Sequence, residues 1–490
     1  MTLFGKKTKH IALATIIFVS GLISLSTITN GHNWGGDFAA YIMQAESLLD
    51  NSTHDFIKEN GFAIKNSNVH FAPISYPWGY PFLLASMIYF MGSNLFAMKL
   101  LNIFLYALFL GILFLFLQKR LSSLDTLILV AIFAINPVFL SLHNFIISDI
   151  AFLFFSTLTI FLIDHTFPQD KISIRFSGRQ IILGFVIFLA FSIRTNGILL
   201  LFSLIVYDLF SSLQKKRFSL TYFSSYFVFI ILWVLYSLWL PGGENSHFSF
   251  LGEANLTSVR ENIIYYFELG KTFFRHIHNP ALIYNISLFF FLVGLRYRYK
   301  EDLFLIIYFF FTLALYIFWP FQQGVRFLLP VFPLFIYLFL QGLKAFSVFI
   351  QKKTRCSMAF QTILFALLLV LFMPQTVISA KSLFETPKPA IVSTGPYDEV
   401  STQMFNFVSQ HTPEDSVIVF FKPRVMRLIT NRASIIITEC SQLTKGDYIV
   451  LNREEGSGEQ ISSKELKSCP LPLDEIYISD RFIIYQTLTK

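Results

Sequence analysis

The sequence predicts a polytopic α-helical membrane protein with a small C-terminal α/β domain. Three observations carry that prediction. Of 490 residues, 54% are hydrophobic and 14% are charged, whereas soluble domains carry about 25% charged residues. Leu, Ile and Phe fall in runs too long and too uniformly apolar for barrel strands. Residues 380–490 then return to ordinary polar composition.

Apolar runs lie at 11–29, 96–117, 124–142, 149–166, 180–195, 197–212, 219–240, 280–295, 303–319, 327–343 and 358–379. A helix needs roughly 20 apolar residues to cross a bilayer, so these runs predict about eleven spans. Lys6, Lys7 and Lys9 precede the first run as in a signal peptide. That run is longer than a typical signal core and no small-residue cleavage site stands out, so it reads as a retained span. The short Pro-headed stretch at 81–92 reads as a re-entrant or interfacial segment.

The net charge of +8 does not signal nucleic-acid binding, because the basic residues sit in short loops between apolar runs. With the N-terminus inside, the inner loops hold 18 Lys and Arg and the outer loops hold 7. Positive charge is retained on the cytoplasmic side of membrane proteins. An odd number of spans then places 380–490 outside. The expected organisation is a membrane domain over 1–379, with its first outer loop at 31–95, and an extracytoplasmic domain over 380–490.

Within that outer domain, 397–411 reads as an amphipathic helix and 416–421 as a strand. A short helix opens at Pro423, and further strands are expected at 433–438, 447–452 and 481–487. Cys356 falls in an inner loop, whereas Cys440 and Cys469 fall outside, where a disulfide persists. Sequence spacing leaves a bridge and two separate thiols equally open.

Polar side chains crowd the outer loops. The first contains His32, Asp37 and His70, then Ser75-Tyr76-Pro77-Trp78-Gly79-Tyr80-Pro81. Later come His143 and Ser148-Asp149, Arg194-Thr195-Asn196-Gly197, Arg275, and Gly324-Val325-Arg326-Phe327. Asp149, Arg194, Arg326 and Lys99 lie at span ends, where charged groups also act as simple interfacial anchors. Asp37 has two readings, an N-cap of an amphipathic helix at 38–50 or a reactive carboxylate at the membrane boundary. Tyr76, Trp78 and Tyr80 fit a substrate groove and an aromatic belt equally well.

The order of these pieces resembles the polyprenol-phosphate-sugar-dependent glycosyltransferases of the GT-C fold, near protein O-mannosyltransferases and lipid A aminoarabinose transferases. The likeness rests on Gly35-Gly36-Asp37-Phe38-Ala39-Ala40-Tyr41, on Tyr76 through Ala85, on Ser148-Asp149 with Arg194-Thr195-Asn196-Gly197, and on Arg326-Phe327-Leu328-Leu329-Pro330-Val331-Phe332-Pro333. It covers most of 1–343, and the tail around Lys422-Pro423-Arg424 looks like outer domains attached to some of these enzymes. The resemblance implies sugar transfer from a polyprenyl-phosphate donor to a lipid, glycan or protein hydroxyl, with inversion. It places the enzyme in a bacterial inner membrane, among membrane lipids.

In that reading Asp37 is the general base. Arg194 and Arg326 bind the donor phosphate, with Lys99 and Arg275 behind them. Asp149 orients the acceptor or holds a divalent cation, which His32, His70 and His143 would help to bind. No ligand spacing here is diagnostic of a metal, and histidines hydrogen-bonded at the interface are the plainer reading. Some relatives carry an adjacent acidic pair where this chain has Asp37 alone, so metal dependence stays open. The rival readings are a lipid-linked-sugar transporter or flippase and a non-catalytic envelope scaffold. A transporter places ionisable groups in mid-span, whereas here they gather at one face.

Overall fold

The computed structural model describes residues 6–69, 71–166, 177–214, 216, 221–242, 255–275, 277–354, 377, 395–454 and 459–488. Helix α1 (Lys6–Thr27) leads into a pair of helices in the first loop, α2 (Gly36–Leu49) and α3 (Thr53–Asn66). The apolar bundle then runs through α4 (Gly79–Met91), α5 (Leu95–Leu117), α6 (Ser123–Ile135), α7 (Pro137–Ser141), α8 (Asp149–Thr166) and α9 (Gly178–Ile193). It continues with α10 (Ile198–Gln214), α11 (Phe223–Trp239), α12 (Leu256–Leu269), α13 (Pro280–Arg298), α14 (Leu303–Ile317) and α15 (Phe332–Thr354). Aromatic and aliphatic side chains such as Phe104, Phe202, Leu238 and Trp239 cover its exterior, as a lipid-facing surface requires.

Ten of the eleven expected apolar runs coincide with these helices, and the run at 358–379 lies outside the described residues. Length and composition alone suffice for crossing in five helices, or six if α6 and the segment after it count as one bent span. The bend of 41° falls at Asn136-Pro137. Pro137 has no backbone N–H to continue the helix, and the Asn136 side chain caps the new turn at Val138. Helices α4, α9, α11 and α14 are apolar but shorter. The 15 residues of α14 reach only about 22 Å at 1.5 Å per residue.

Ionic groups collect at two opposite ends of the bundle. At one end Arg120, in the turn after α5, forks onto Asp164 of α8, at 2.8 and 2.6 Å. Asp302, just before α14, takes bonds from Arg298 at 2.7 Å and Tyr337 at 2.6 Å. This knot ties α5, α8, α13, α14 and α15 together. Removing one partner from a buried ion network strands the others without solvation, which makes such knots costly to break. The opposite end holds Asp37, Asp149, Arg194 and Arg326, together with the C-terminal domain. The residues that charge counting assigned to outer loops are therefore gathered at one end.

That domain is a five-stranded sheet in the order β2-β1-β3-β5-β4. Its strands are β1 (Val417–Val419), β2 (Ala433–Ile435), β3 (Tyr448–Asn452), β4 (Leu473–Ile478) and β5 (Phe482–Thr487), and β1 pairs in parallel with both β2 and β3. Its helices are α16 (Glu399–His411), α17 (Pro423–Thr430) and α18 (Ser463–Ser468). Strand β4 and helix α18 were not expected from sequence. β4 alternates weakly and is largely exposed, and α18 is a six-residue turn. Cys440 and Cys469 are joined as a disulfide, with Cα atoms 5.4 Å apart.

Helices α13 and α15 cross through Gly294 and Gly342. A Cβ at Gly294 would lie 1.9 Å from the Leu338 carbonyl oxygen, and one at Gly342 1.8 Å from that of Phe290. Such contacts let backbones approach where lipid supplies no hydrophobic drive. Gly294→Ala is expected to destabilise the protein by about 1–3 kcal/mol through overpacking. A lower unfolding temperature in detergent is the readout, and an unchanged one would remove this crossing as a constraint.

Candidate active site

The site is built on the N-terminus of α2. Gly35 occupies the N-cap position with no side-chain cap, and Asp37 lies in the first helical turn. The N-cap reading of Asp37 is thereby set aside, because its carboxylate turns away from the helix backbone. Asp37 Oδ1 accepts from the Tyr76 hydroxyl at 2.6 Å. Its Oδ2 accepts from Arg326 Nη1 at 2.9 Å. The positive end of α2 adds further support for a negative charge.

The first loop folds back so that Tyr76 reaches this carboxylate. Gln44, on α2, accepts from the Tyr76 backbone N–H at 3.0 Å and donates to its carbonyl at 2.9 Å. Tyr41, one turn earlier, packs its ring at a tilt of 34° against the Tyr76 ring, centroids 4.7 Å apart, and bonds Ser148 at 2.9 Å. Arg326 arrives from a 3-10 turn, Val325–Leu328, entered through Gly324 at φ +74°. A side chain is disfavoured in that left-handed conformation.

Burial raises the Asp37 pKa, but the Arg326 charge and the Tyr76 hydrogen bond outweigh it. They hold the carboxyl below its ordinary value. Burial and the Asp37 charge push the Tyr76 hydroxyl up, so it remains a donor.

Beside this pair opens a cavity of about 310 Å³. Asp37, Tyr41, Ser148, Arg194, Asn196 and Arg326 form its polar side, while Phe71, Tyr76, Tyr316, Trp319, Phe321 and Phe327 supply aromatic walls. Arg194 and Arg326 flank one ring, their guanidinium carbons 4.5 and 5.4 Å from the centroid of Phe327. Guanidinium groups of this kind suit the oxygens of an anion, and the aromatic wall beside them is apolar. A larger groove of about 740 Å³ lies at the opposite end of the bundle, lined by Phe289, Arg296 and Lys300 among others. It is an open surface depression without a paired carboxylate and offers no comparable chemistry.

The structure thus brings together Asp37, Tyr76, Arg194 and Arg326. Asp149 sits behind the wall, 3% exposed, bonded to Arg194 at 2.5 Å. Its position suits aiming Arg194 rather than touching an acceptor.

Lys99 is fully buried and donates to the carbonyls of Thr29 and Gly31 and to Asn144, at 2.8, 2.7 and 2.9 Å. These contacts take all three ammonium protons away from the cavity, so its phosphate assignment is corrected to a structural one. Arg275 is exposed and does not line the cavity. Trp78 is buried, its indole N–H donating to the Pro241 carbonyl at 3.0 Å. Tyr80 is fully buried against Tyr41. Of the three groove aromatics, Tyr76 alone reaches the cavity, because Gly79 starts α4 and turns the next ring into the bundle.

Among the described residues the histidines do not form a metal centre. His32 donates from Nδ1 to the Asn33 carbonyl and accepts at Nε2 from the Ile146 N–H. Burial lowers its pKa to about 4. His143 is fully buried against Tyr106, and His70 lies outside the described residues. Among the described residues no group of three or more His, Cys, Asp or Glu could hold a metal ion. Each site carboxylate is matched by an arginine instead, so the residues present do not fit a divalent cation.

Sequence reasoning missed Gln44 and Tyr41 as supports of Tyr76, and Tyr316, which accepts from Asn196 at 2.7 Å. Tyr41 stood at the end of the acid motif without a role, and its place four residues after Asp37 was the available signal. Arg424, from the C-terminal domain, also reaches Tyr76, at 3.3 Å.

No protein-family model matches the chain. No curated protein sequence matches it either. Solved structures do. ArnT from Cupriavidus metallidurans, bound to undecaprenyl phosphate, superposes with a TM-score of 0.57 at 11% identity, covering 98% of each chain. The apo oligosaccharyltransferase from Archaeoglobus fulgidus superposes with a TM-score of 0.61 at 12% identity, covering 93% of this chain and 70% of that one. A third match is archaeal AglB from Archaeoglobus fulgidus, in complex with an inhibitory peptide and a dolichol-phosphate, with a TM-score of 0.54 at 11% identity over 90% and 69%. The chain has the GT-C fold of these proteins.

Lys99→Met is expected to cost about 3 kcal/mol, since it leaves buried acceptors without a partner. The readout is a lower unfolding temperature in detergent. An unchanged unfolding temperature would contradict the structural assignment of Lys99.

Proposed function

We propose that this chain is a membrane glycosyltransferase, moving a hexosyl or pentosyl group from a polyprenyl-phosphate donor to an acceptor hydroxyl. One observation carries the proposal: an ionised carboxylate, Asp37, and two arginines open onto the same cavity at one end of an apolar bundle. The shared fold with ArnT, solved with undecaprenyl phosphate, supports it. Charge distribution supports an outer-face reaction with the N-terminus cytoplasmic and the C-terminal domain on the far side, and the likeness to ArnT of Cupriavidus metallidurans supports a bacterial inner membrane, which makes that side periplasmic.

The donor tail lies in lipid and its phosphate enters between Arg194 and Arg326. The phosphate competes with Asp37 for Arg326 and so uncovers Oδ2 of Asp37 as the acceptor arrives. That oxygen takes the hydroxyl proton while the acceptor oxygen forms a bond to the anomeric carbon. The anomeric C–O bond to phosphate breaks, its electron pair stays on the phosphate oxygen, and free polyprenyl phosphate leaves. The departing group is already anionic, so it needs cations rather than a general acid. Tyr76 keeps its bond to Oδ1 throughout and fixes the carboxylate plane. Attack from the face opposite the phosphate inverts the anomeric centre.

Asp37→Asn in a lipid nanodisc, supplied with polyprenyl-phosphate sugars and an envelope extract, is expected to lose transfer by at least about 100-fold. Wild-type transfer by that variant would contradict the proposal.

The pH dependence follows from the depressed carboxyl. A base must be ionised, so activity falls as pH drops through its pKa. The acid limb of kcat/KM is therefore expected below the ordinary Asp value of about 3.9. Tyr76→Phe removes a donor to the charged form and should move that limb upward. A limb well above that value in the unaltered protein would show that Asp37 is not the group being read.

A further inference from the structure

The C-terminal domain is docked firmly on the first outer loop. Trp34 inserts among Phe405, Phe420, Phe421 and Phe482, with ring centroids 5.0 to 6.2 Å away. Ser67 and Asn68 pair with the backbone of Ile436 and Thr438 at 2.8 to 3.1 Å. Arg427 meets Glu59 at 2.5 Å. The domain is held by many contacts of which Arg427 with Glu59 is one, and the first turn of α17 carries Arg424.

Arg424 is 2% exposed, although it belongs to a polar domain. Its guanidinium faces the loop that forms one wall of the cavity. Nε donates to Asn60 Oδ1 at 3.2 Å, Nη2 donates to the Pro73 carbonyl, and Nη1 donates to the Tyr76 hydroxyl at 3.3 Å. Asn60 in turn donates to the Ile74 carbonyl. The guanidinium carbon also lies 5.2 Å from the Tyr76 ring centroid and 5.7 Å from that of Phe71. One buried side chain therefore holds the segment from Phe71 to Tyr76 by two bonds and two ring faces, and a third bond holds Asn60 behind it.

The chemistry of the hydroxyl gives this arrangement a direction. A phenol has one proton to give, and a guanidinium only donates. A Tyr76 oxygen that accepts from Arg424 directs its own proton elsewhere, and that proton points at Asp37 Oδ1, 2.6 Å away.

We infer that Arg424 is a positioning residue for sugar transfer, through which the C-terminal domain completes the active site by aiming the Tyr76 hydroxyl at Asp37. The inference rests on the reading of Asp37 as the base. Its consequence is that the outer domain is a working part of the transferase and not an appended binding module. Arg424 itself touches neither donor nor acceptor in this scheme.

The test measures kcat, donor KM and unfolding temperature for full-length Arg424→Gln, Arg424→Lys, Tyr76→Phe, Glu59→Gln and the Arg424→Gln/Tyr76→Phe pair. Asp37→Asn serves as the control for the underlying reading. Arg424→Gln should lower kcat about tenfold with donor KM within about twofold, as expected when geometry rather than binding is lost. Arg424→Lys keeps one donor and should recover part of the rate, which also secures the test if Arg424→Gln fails to fold. In the Tyr76→Phe background Arg424→Gln should have little further effect, because the two act through one hydrogen bond. Glu59→Gln loosens the same interface without touching Tyr76 and should leave kcat unchanged.

Wild-type kcat in Arg424→Gln overturns the inference. So do independent, multiplicative losses in the double variant, or an equal loss in Glu59→Gln. Transfer that survives in Asp37→Asn overturns the underlying reading instead.

Discussion

A carboxylate held ionised at the end of an apolar bundle is the constraint on which the site depends. Asp37 has both oxygens engaged, one by Tyr76 and one by Arg326. Partial burial alone would favour its neutral form, and both partners act against that by favouring the charged form. Those partners come from distant parts of the chain, the end of the first loop and the turn after α14. Closing that triangle sets the path of the first loop, the left-handed entry at Gly324 and the docking of the C-terminal domain.

The same balance governs Arg194. It is bonded to Asp149 and shares the ring of Phe327 with Arg326. The resting site therefore stores its cations against its own acids. In the proposed reaction an incoming phosphate would exchange one anionic partner for another, which costs less than pulling a bare arginine out of water. In that proposal the exchange at Arg326 would also couple donor arrival to exposure of Asp37. The knot around Asp302 at the far end repeats the chemistry without a cavity of this kind, and its role is to fasten five helices.

Much of the fold was legible because hydropathy is a strong signal in a chain this apolar. Ten runs became helices, and the acid, aromatic and arginine motifs fell at one end of the bundle. What was illegible is which side chain of a motif faces the cavity. Tyr76, Trp78 and Tyr80 lie within five residues, yet the start of α4 at Gly79 separates them into a cavity wall and two buried supports. Lys99 looked like a phosphate ligand because it sits at a span end. The pitch of α5 aims it at carbonyls left by the end of α1. Arg424 lies 364 residues from Asn60, its partner, and no local pattern marks it. Ion-pair choice depends on tertiary geometry of this kind, and sequence periodicity carries no record of it.

The central step of the proposed reaction is a single displacement with Asp37 as base on the face opposite the phosphate. Nuclear magnetic resonance of the anomeric proton and carbon, on product made from a donor of defined configuration, reads this directly. The expected product has inverted configuration, with no sugar attached to the protein during turnover. A product of retained configuration would rule the single displacement out.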